Sequence, residues 1–262
     1  MSILSFFRKK RVGLALGGGA ARGIAHIGVL KVLVENKIPI HFIAGTSSGA
    51  LFGALLSGGM SIDEIETASR RAGWSRLVRL SLSRRGAISA DAMEKLIIES
   101  IGDRDFNSLG IPLSIVATDL RTGEQVVIKE GSVARAVHAS SAVPGVFVPV
   151  EIGDKLLADG MIVNNVPVDV VKDMGANIII AVDVIPRTNH LQGYLNMVQA
   201  VERAVDLGIK FQSQPKLKMA DFVIEPVSEN IGPFGLDYAP RLIRMGEEAA
   251  REQIDRIKRK VL

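Results

Sequence analysis

The sequence predicts an α/β fold in which a central, mainly parallel sheet carries helices on both faces. Two stretches predict it. Residues 12–44 read as strand, glycine-rich loop, amphipathic helix and second strand, a βαβ unit whose strands are parallel and whose crossover is right-handed. Residues 41–59 then read as an apolar strand, a Gly45-Thr46-Ser47-Ser48-Gly49 turn and a small-residue helix that stops at Gly58-Gly59. Both loops leave the carboxyl edge of one sheet, where open α/β folds bind ligands. With 262 residues and 28.1 kDa the chain can bury a large core. A basic tail over residues 1–10 followed by one domain over residues 11–262 is the expected organisation.

The elements follow in order. Val12 to Leu16 is apolar and leads into Gly17-Gly18-Gly19-Ala20-Ala21-Arg22-Gly23. Ala25 to Glu35 repeats apolar residues at helical period (Ile27, Leu30, Val34 and Val29, Leu33), and Ile40 to Ala44 is the next strand. Ser61 to Arg85 reads as helical and basic, with Arg70, Arg71, Arg76, Arg79, Arg84 and Arg85 around Trp74; a solvated face or an interfacial flap are both open. Ala90 to Ile101 is a further amphipathic helix. Leu113 to Asp119 is a buried strand, and Gln125 to Lys129 alternates like its antiparallel partner across the Arg121-Thr122-Gly123-Glu124 turn. Val133 to Ser141 is a helix ahead of Pro144, and Lys155 to Ala158 a short strand running into Asp159-Gly160, with Asn164-Asn165 beyond. Ile178 to Ile185, interrupted by Asp183, is placed near the sheet centre. Leu191 to Phe211 is a long helix, Phe222 to Pro226 the last strand, and Pro240 to Val261 a closing helix with Lys258-Arg259-Lys260 at its negative end.

Composition narrows the chemistry. Without cysteine there are no disulfides, thiolate nucleophiles or cysteine-bound metals, and four scattered histidines offer no zinc cluster. No metal and no organic cofactor are expected. A net charge of +4 suits an anionic membrane surface. Aromatics at 5% and the lack of a base-reading motif argue against nucleic acid. No stretch approaches the roughly 20 apolar residues of a spanning helix. The first eleven residues run from apolar to Arg8-Lys9-Lys10-Arg11, the reverse of a secretory signal. The expectation is a cytoplasmic protein whose first residues are either a disordered tail or, through Phe6, Phe7 and the basic run, a contact with anionic lipid at the inner membrane surface.

Ser47 is the candidate nucleophile. A serine at the tip of a strand-to-helix turn projects its hydroxyl outward, glycines two residues to either side let the bend close, and the helix N-terminus favours negative charge beside it. The Gly17 loop fits neither nucleotide motif. A dinucleotide fingerprint needs its third glycine where Arg22 stands and an acid where Ala44-Gly45 stands, and a Walker loop needs Gly-Lys-Ser/Thr. The reading that uses both loops is an oxyanion hole from Gly17, Gly18, Gly19 and Ala20 beside an acyl-accepting serine, each donor contributing roughly 3 kcal/mol. Arg22 either orients that loop or is a surface residue. Asp159, at a strand end before a glycine, is by itself equally a turn aspartate.

Taken together, Gly17 to Gly23, Gly45 to Gly49, Ala117-Thr118-Asp119-Leu120, Ala139-Ser140-Ser141-Ala142-Val143-Pro144-Gly145 and Asp159-Gly160 make the chain resemble the bacterial branch of the patatin-like phospholipase family over residues 12–165. The resemblance implies a three-layer α/β/α sandwich and a lipid acyl hydrolase acting on phospholipid, lysophospholipid or other acyl esters. It also implies a Ser47–Asp159 dyad, with Gly45, Gly49, Gly160 and Arg22 in support. The sequence departs from the family pattern twice. The glycine loop holds one more residue before its last glycine than the plant-type pattern, and Met161 replaces the usual small residue after Asp-Gly.

A carboxylate of ordinary pKa, about 3.9, is a weak base for a serine hydroxyl, so the dyad requires a dry pocket that raises it. Alternatives share the acyl-serine: a carboxylesterase, a thioesterase or an acyltransferase. A lipid-sensing protein that retains the site without turnover is a reading of another class. His190 could complete a Ser47, Asp159, His190 triad in the order of α/β-hydrolases, whereas His26, His41 and His138 read as structural.

Overall fold

The computed structural model describes residues 9–70, 91–186, 196–227, 231–232 and 238–262. The start of the basic tail with Phe6 and Phe7, the arginine-rich stretch around Trp74, and His190 lie outside them. The first strand, β1 (Val12–Leu16), leads through a 3-10 turn (Ala20–Ile24) into α1 (Ala25–Glu35), and β2 (Phe42–Thr46) leads directly into α2 (Ser48–Ser57). After α3 (Ile62–Arg70) and α4 (Asp91–Ile101) come β3 (Leu113–Asp119), β4 (Gln125–Ile128) and α5 (Val133–Ser140). The hairpin of β5 (Val150–Ile152) and β6 (Lys155–Asp159) precedes α6 (Val168–Asp173), β7 (Ile178–Val182), α7 (Met197–Leu217), β8 (Phe222–Ile224) and α8 (Ala239–Val261).

All eight strands form one sheet, paired in the order β5-β6-β3-β2-β1-β7-β8 with β4 also on β3. The pairs β3–β2, β2–β1, β1–β7 and β7–β8 are parallel, and β4, β5 and β6 pair antiparallel. Side chains alternate across the strands. Leu14, Leu16, Ile43, Ile115, Ile180 and Val182 face a core built with α1, α2, α5 and α8. Ala15, Ala44, Val116, Ile179 and Ala181 face α6 and the end of α7. Both faces are thus covered by helix, which is why these strands read as continuous apolar runs.

The registers around β3 determine the site. Residues 115–118 of β3 pair with β4 along one edge. Along the other, β2 pairs as far as Thr46 opposite Val116, and β6 takes over with Asp159 opposite Ala117. Strands β2 and β6 therefore approach from opposite directions along one edge of β3 and meet end to end. Gly160 sits in this junction, where a Cβ would lie 2.4 Å from the Val116 carbonyl oxygen.

Several elements differ from expectation. Helix α7 starts at Met197 rather than Leu191 and runs to Leu217 rather than Phe211. Asn196 and Gln199 form a reciprocal capping box that sets the start. Pro215 lies inside it, near its end, and the Phe211 carbonyl left without that N–H belongs to an exposed residue. Strand β7 ends at Val182, before Asp183, and lies one strand from the β8 edge rather than at the centre. Strand β5 and helix α6 are not expected from the sequence.

Candidate active site

Thr46 ends β2, fully buried, and Ser47 turns the chain into α2 with φ 53° and ψ −121°. Left-handed backbone at a residue with a Cβ stores about 1–2 kcal/mol and persists only where its surroundings hold it. Ser140 does the holding: its hydroxyl accepts the Ser47 N–H at 2.8 Å and donates to the Val116 carbonyl at 2.6 Å. Glycines at 45 and 49 permit the tight turn by close packing. A Cβ on Gly45 would stand 2.6 Å from the Ala50 nitrogen, and one on Gly49 would stand 2.0 Å from the Leu16 carbonyl oxygen. Ser47 itself is 6% exposed.

Asp159, at the meeting end of β6, is fully buried. Its Oδ1 accepts the Met161 N–H at 2.9 Å, and its Oδ2 has no partner at hydrogen-bond geometry. Burial pushes the carboxyl up to about 7; the Ser47 side chain and the Met161 N–H oppose that rise without cancelling it. A buried carboxyl that titrates near neutrality beside a serine hydroxyl is poised to take a proton.

Of the four glycine-loop amides that the sequence suggests as donors, two are already hydrogen-bonded within the protein. Gly17 N–H donates to the Val182 carbonyl at 2.9 Å, extending the β1–β7 ladder, and Gly18 N–H donates to the Asn165 carbonyl at 3.3 Å. Both leave the candidate set because their protons are already committed. Gly19 and Ala20 N–H make no hydrogen bond among the described residues, and Ala20 holds a left-handed φ of 51°. Arg22 is 3% exposed, not a surface residue. Its guanidinium pairs bidentately with Asp206 of α7 at 2.8 and 2.9 Å, and its Nε donates to the Gly19 carbonyl at 3.3 Å.

Gly18, Gly19, Ala20, Arg22 and Ser47 line a cavity of about 780 Å³. Its wall is mostly apolar, with Leu51 and Phe52 of α2, Met93 and Leu96 of α4, and Val201 and Val205 of α7. Met161, the departure after Asp-Gly, contributes to the wall next to the acid.

The three described histidines serve the scaffold. His26 is fully buried and neutral, its pKa lowered to about 4 by burial, and its Nε2 bonds the Gly17 carbonyl at 2.7 Å. His41 Nδ1 accepts the Val12 N–H at 3.0 Å, and His138 Nδ1 lies 3.0 Å from Glu94. Asp183 receives Lys210 Nζ at 2.8 Å, which explains the charge within an apolar stretch. Asp206 and Gln212 were not singled out in the sequence, since neither belongs to a motif and both lie far along the chain on α7. No group of three or more metal-ligating side chains occurs among the described residues, and no described helix is long and apolar enough to cross a membrane.

Residues 14–172 match the model of the family described as patatin-like phospholipase. The chain belongs to the patatin-like phospholipase family. An uncharacterized NTE family protein of Mycobacterium tuberculosis is 38% identical over 175 residues, covering 66% of this chain and 48% of that protein. Neuropathy target esterase sws of Drosophila melanogaster is 36% identical over 183 residues, 66% of this chain and 13% of that protein. Human patatin-like phospholipase domain-containing protein 6 is 34% identical over the same shares. The chain thus spans about half the length of the mycobacterial relative and much less of the animal ones. Among solved structures, VipD of Legionella pneumophila superposes with a TM-score of 0.53 at 15% identity, over 94% of this chain and 67% of that one, a likeness of fold.

Proposed function

We propose that this protein hydrolyses acyl esters of lipids, phospholipid or lysophospholipid in kind, through a Ser47–Asp159 dyad. The observation that carries the reading is the end-to-end meeting of β2 and β6, which brings a strained serine that lines an apolar cavity close to a buried carboxyl of pKa about 7. Asp159 Oδ2 takes the hydroxyl proton as Ser47 Oγ attacks the ester carbonyl carbon. The oxygen that becomes negative is met by the Gly19 and Ala20 N–H groups and by the N-terminus of α2. When the intermediate collapses, the leaving alkoxide receives the proton from Asp159 and an acyl-Ser47 ester remains. Water then repeats the sequence, giving its proton to Asp159 and releasing the carboxylic acid. An acyl chain lies against Leu51, Phe52 and Val205, where water is excluded and the carboxyl stays basic.

The test is an activity panel on phospholipids, lysophospholipids and a nitrophenyl acyl ester with Ser47→Ala and Asp159→Asn as controls. Turnover should fall by several orders of magnitude in both variants while the fold persists by circular dichroism. Full activity in either folded variant discards the dyad.

A further inference from the structure

Three successive carbonyls of the glycine loop are each held by a side chain. His26 Nε2 bonds the Gly17 oxygen, Asn165 Nδ2 donates to the Gly18 oxygen at 3.1 Å, and Arg22 Nε donates to the Gly19 oxygen, which also accepts the Arg22 N–H at 3.1 Å. In a trans peptide a carbonyl and the next N–H point in opposite directions, and none of the described peptides is cis. Holding the Gly18 carbonyl against Asn165 therefore turns the Gly19 N–H away from Asn165. Holding the Gly19 carbonyl against Arg22 turns the Ala20 N–H away from Arg22 in the same manner. Both residues line the cavity with Ser47.

Asn165 grips Gly18 twice, since its own carbonyl accepts the Gly18 N–H. Gly18 in turn lies against the nucleophile: a Cβ there would stand 2.7 Å from Asn165 Oδ1 and 3.0 Å from Ser47 Cβ. Asn165 is itself braced. Gln212 of α7 accepts the Asn165 N–H at 3.0 Å and donates through Nε2 to the Met161 and Ile162 carbonyls, in the turn that follows Asp159. One helix side chain thereby ties the loop of the acid to the residue that orients the loop of the donors.

Asn165 is fully buried, and its Oδ1 has no partner. A buried polar group with an orphaned acceptor costs stability relative to an apolar side chain of the same shape. Space filling alone does not account for an amide here, whereas the direction of the Gly18–Gly19 peptide does.

We propose that Asn165, braced by Gln212, is a positioning residue that aims the Gly19 N–H at the carbonyl oxygen reacting at Ser47. The inference rests on the acyl-serine reading and adds to it the element that keeps one amide donor pointed inward. Misaiming a donor has a smaller effect than deleting one, for which the loss in kcat is about 100- to 1,000-fold.

The experiment uses the full chain with Asn165→Ala, Asn165→Asp and Gln212→Ala, assayed on a nitrophenyl acyl ester. Functional sites are counted by fluorophosphonate titration of Ser47, so that kcat refers to active protein. For Asn165→Ala and Asn165→Asp, kcat should fall about 10- to 100-fold with KM within about threefold of wild type. Affinity for a trifluoromethyl ketone, whose adduct places an oxyanion in the hole, should fall in parallel. Gln212→Ala should shift both quantities in the same direction by about three- to tenfold. A purely structural role lowers melting temperature and the count of active sites but leaves kcat per site and ketone affinity in place, and that result overturns the proposal. If the Asn165 variants do not fold, unchanged kcat and ketone affinity in Gln212→Ala overturn it as well. Absent turnover in wild type, or turnover surviving Ser47→Ala, would strike the acyl-serine reading instead.

Discussion

Moving the pH across the titration of Asp159 changes a single proton on one buried carboxyl. With its pKa near 7, the ionised, proton-accepting form makes up about 1% of the protein at pH 5, half at pH 7 and about 90% at pH 8. The rate constant kcat/KM should therefore rise about tenfold per pH unit up to the inflection and level off near pH 8. A carboxyl left at its ordinary value would be fully ionised by pH 6, and the profile would be flat from there upward. Initial rates on a nitrophenyl acyl ester, read from pH 5 to 9 at the isosbestic wavelength, measure the profile directly. The same shift has a consequence for stability. Because the folded-state pKa lies above that of the unfolded chain, the native state holds an extra proton between roughly pH 4 and 7 and loses stability as pH rises across that window. Three units correspond to at most about 4 kcal/mol, so Asp159→Asn, which never ionises, should gain on wild type as pH climbs from 4 to 8. An inflection near pH 4, or equal urea midpoints for the two proteins at pH 5 and pH 8, would refute the claim that burial makes this carboxyl a base.

Two further outcomes follow from buried charge. His26, lowered to about 4 from 6.5, contributes stability that is complete above pH 6.5 and lost as pH falls toward 4, by about 3 kcal/mol; His26→Gln should flatten the acid limb of the urea midpoint, and an unchanged limb would count against it. Asp206→Ala strands the Arg22 guanidinium at a site 4% exposed and should cost about 3–5 kcal/mol in chemical denaturation. Adding Arg22→Met should restore most of that loss, and failure to do so would mean that the ion pair is not its source.

The relation between sequence and site differs residue by residue. Ser47 was legible because its signal is local: glycines at 45 and 49, a strand before and a helix after lie within a short span of chain. The same holds for the β1–α1–β2 unit, whose periodicity declares each element. Helix α7 lies six residues further along at each end than its apolar pattern suggests, because the Asn196–Gln199 capping box sets its start and Pro215 is accommodated inside its last turns. Asp159 carries no comparable signal by itself, since aspartates before glycine are common in turns; its assignment came through the resemblance. The glycine loop is legible as a turn, yet the state of its amides is not: four look equivalent in sequence, and hydrogen bonds to Val182 and Asn165, remote in sequence, occupy two of them.

Sequence by itself determined the fold class and the positions of the Ser47 turn and the glycine loop, because strand alternation, helical period and glycine spacing act between near neighbours. Tertiary structure alone decided that β6 runs back along β3 to bring Asp159 toward Ser47, that this carboxyl is buried deeply enough for its pKa to rise, and that Asp206 and Gln212 of α7 brace the loops around it. Those outcomes depend on desolvation and on pairing between segments about 40 to 180 residues apart, and neither quantity is a property of any short stretch of chain.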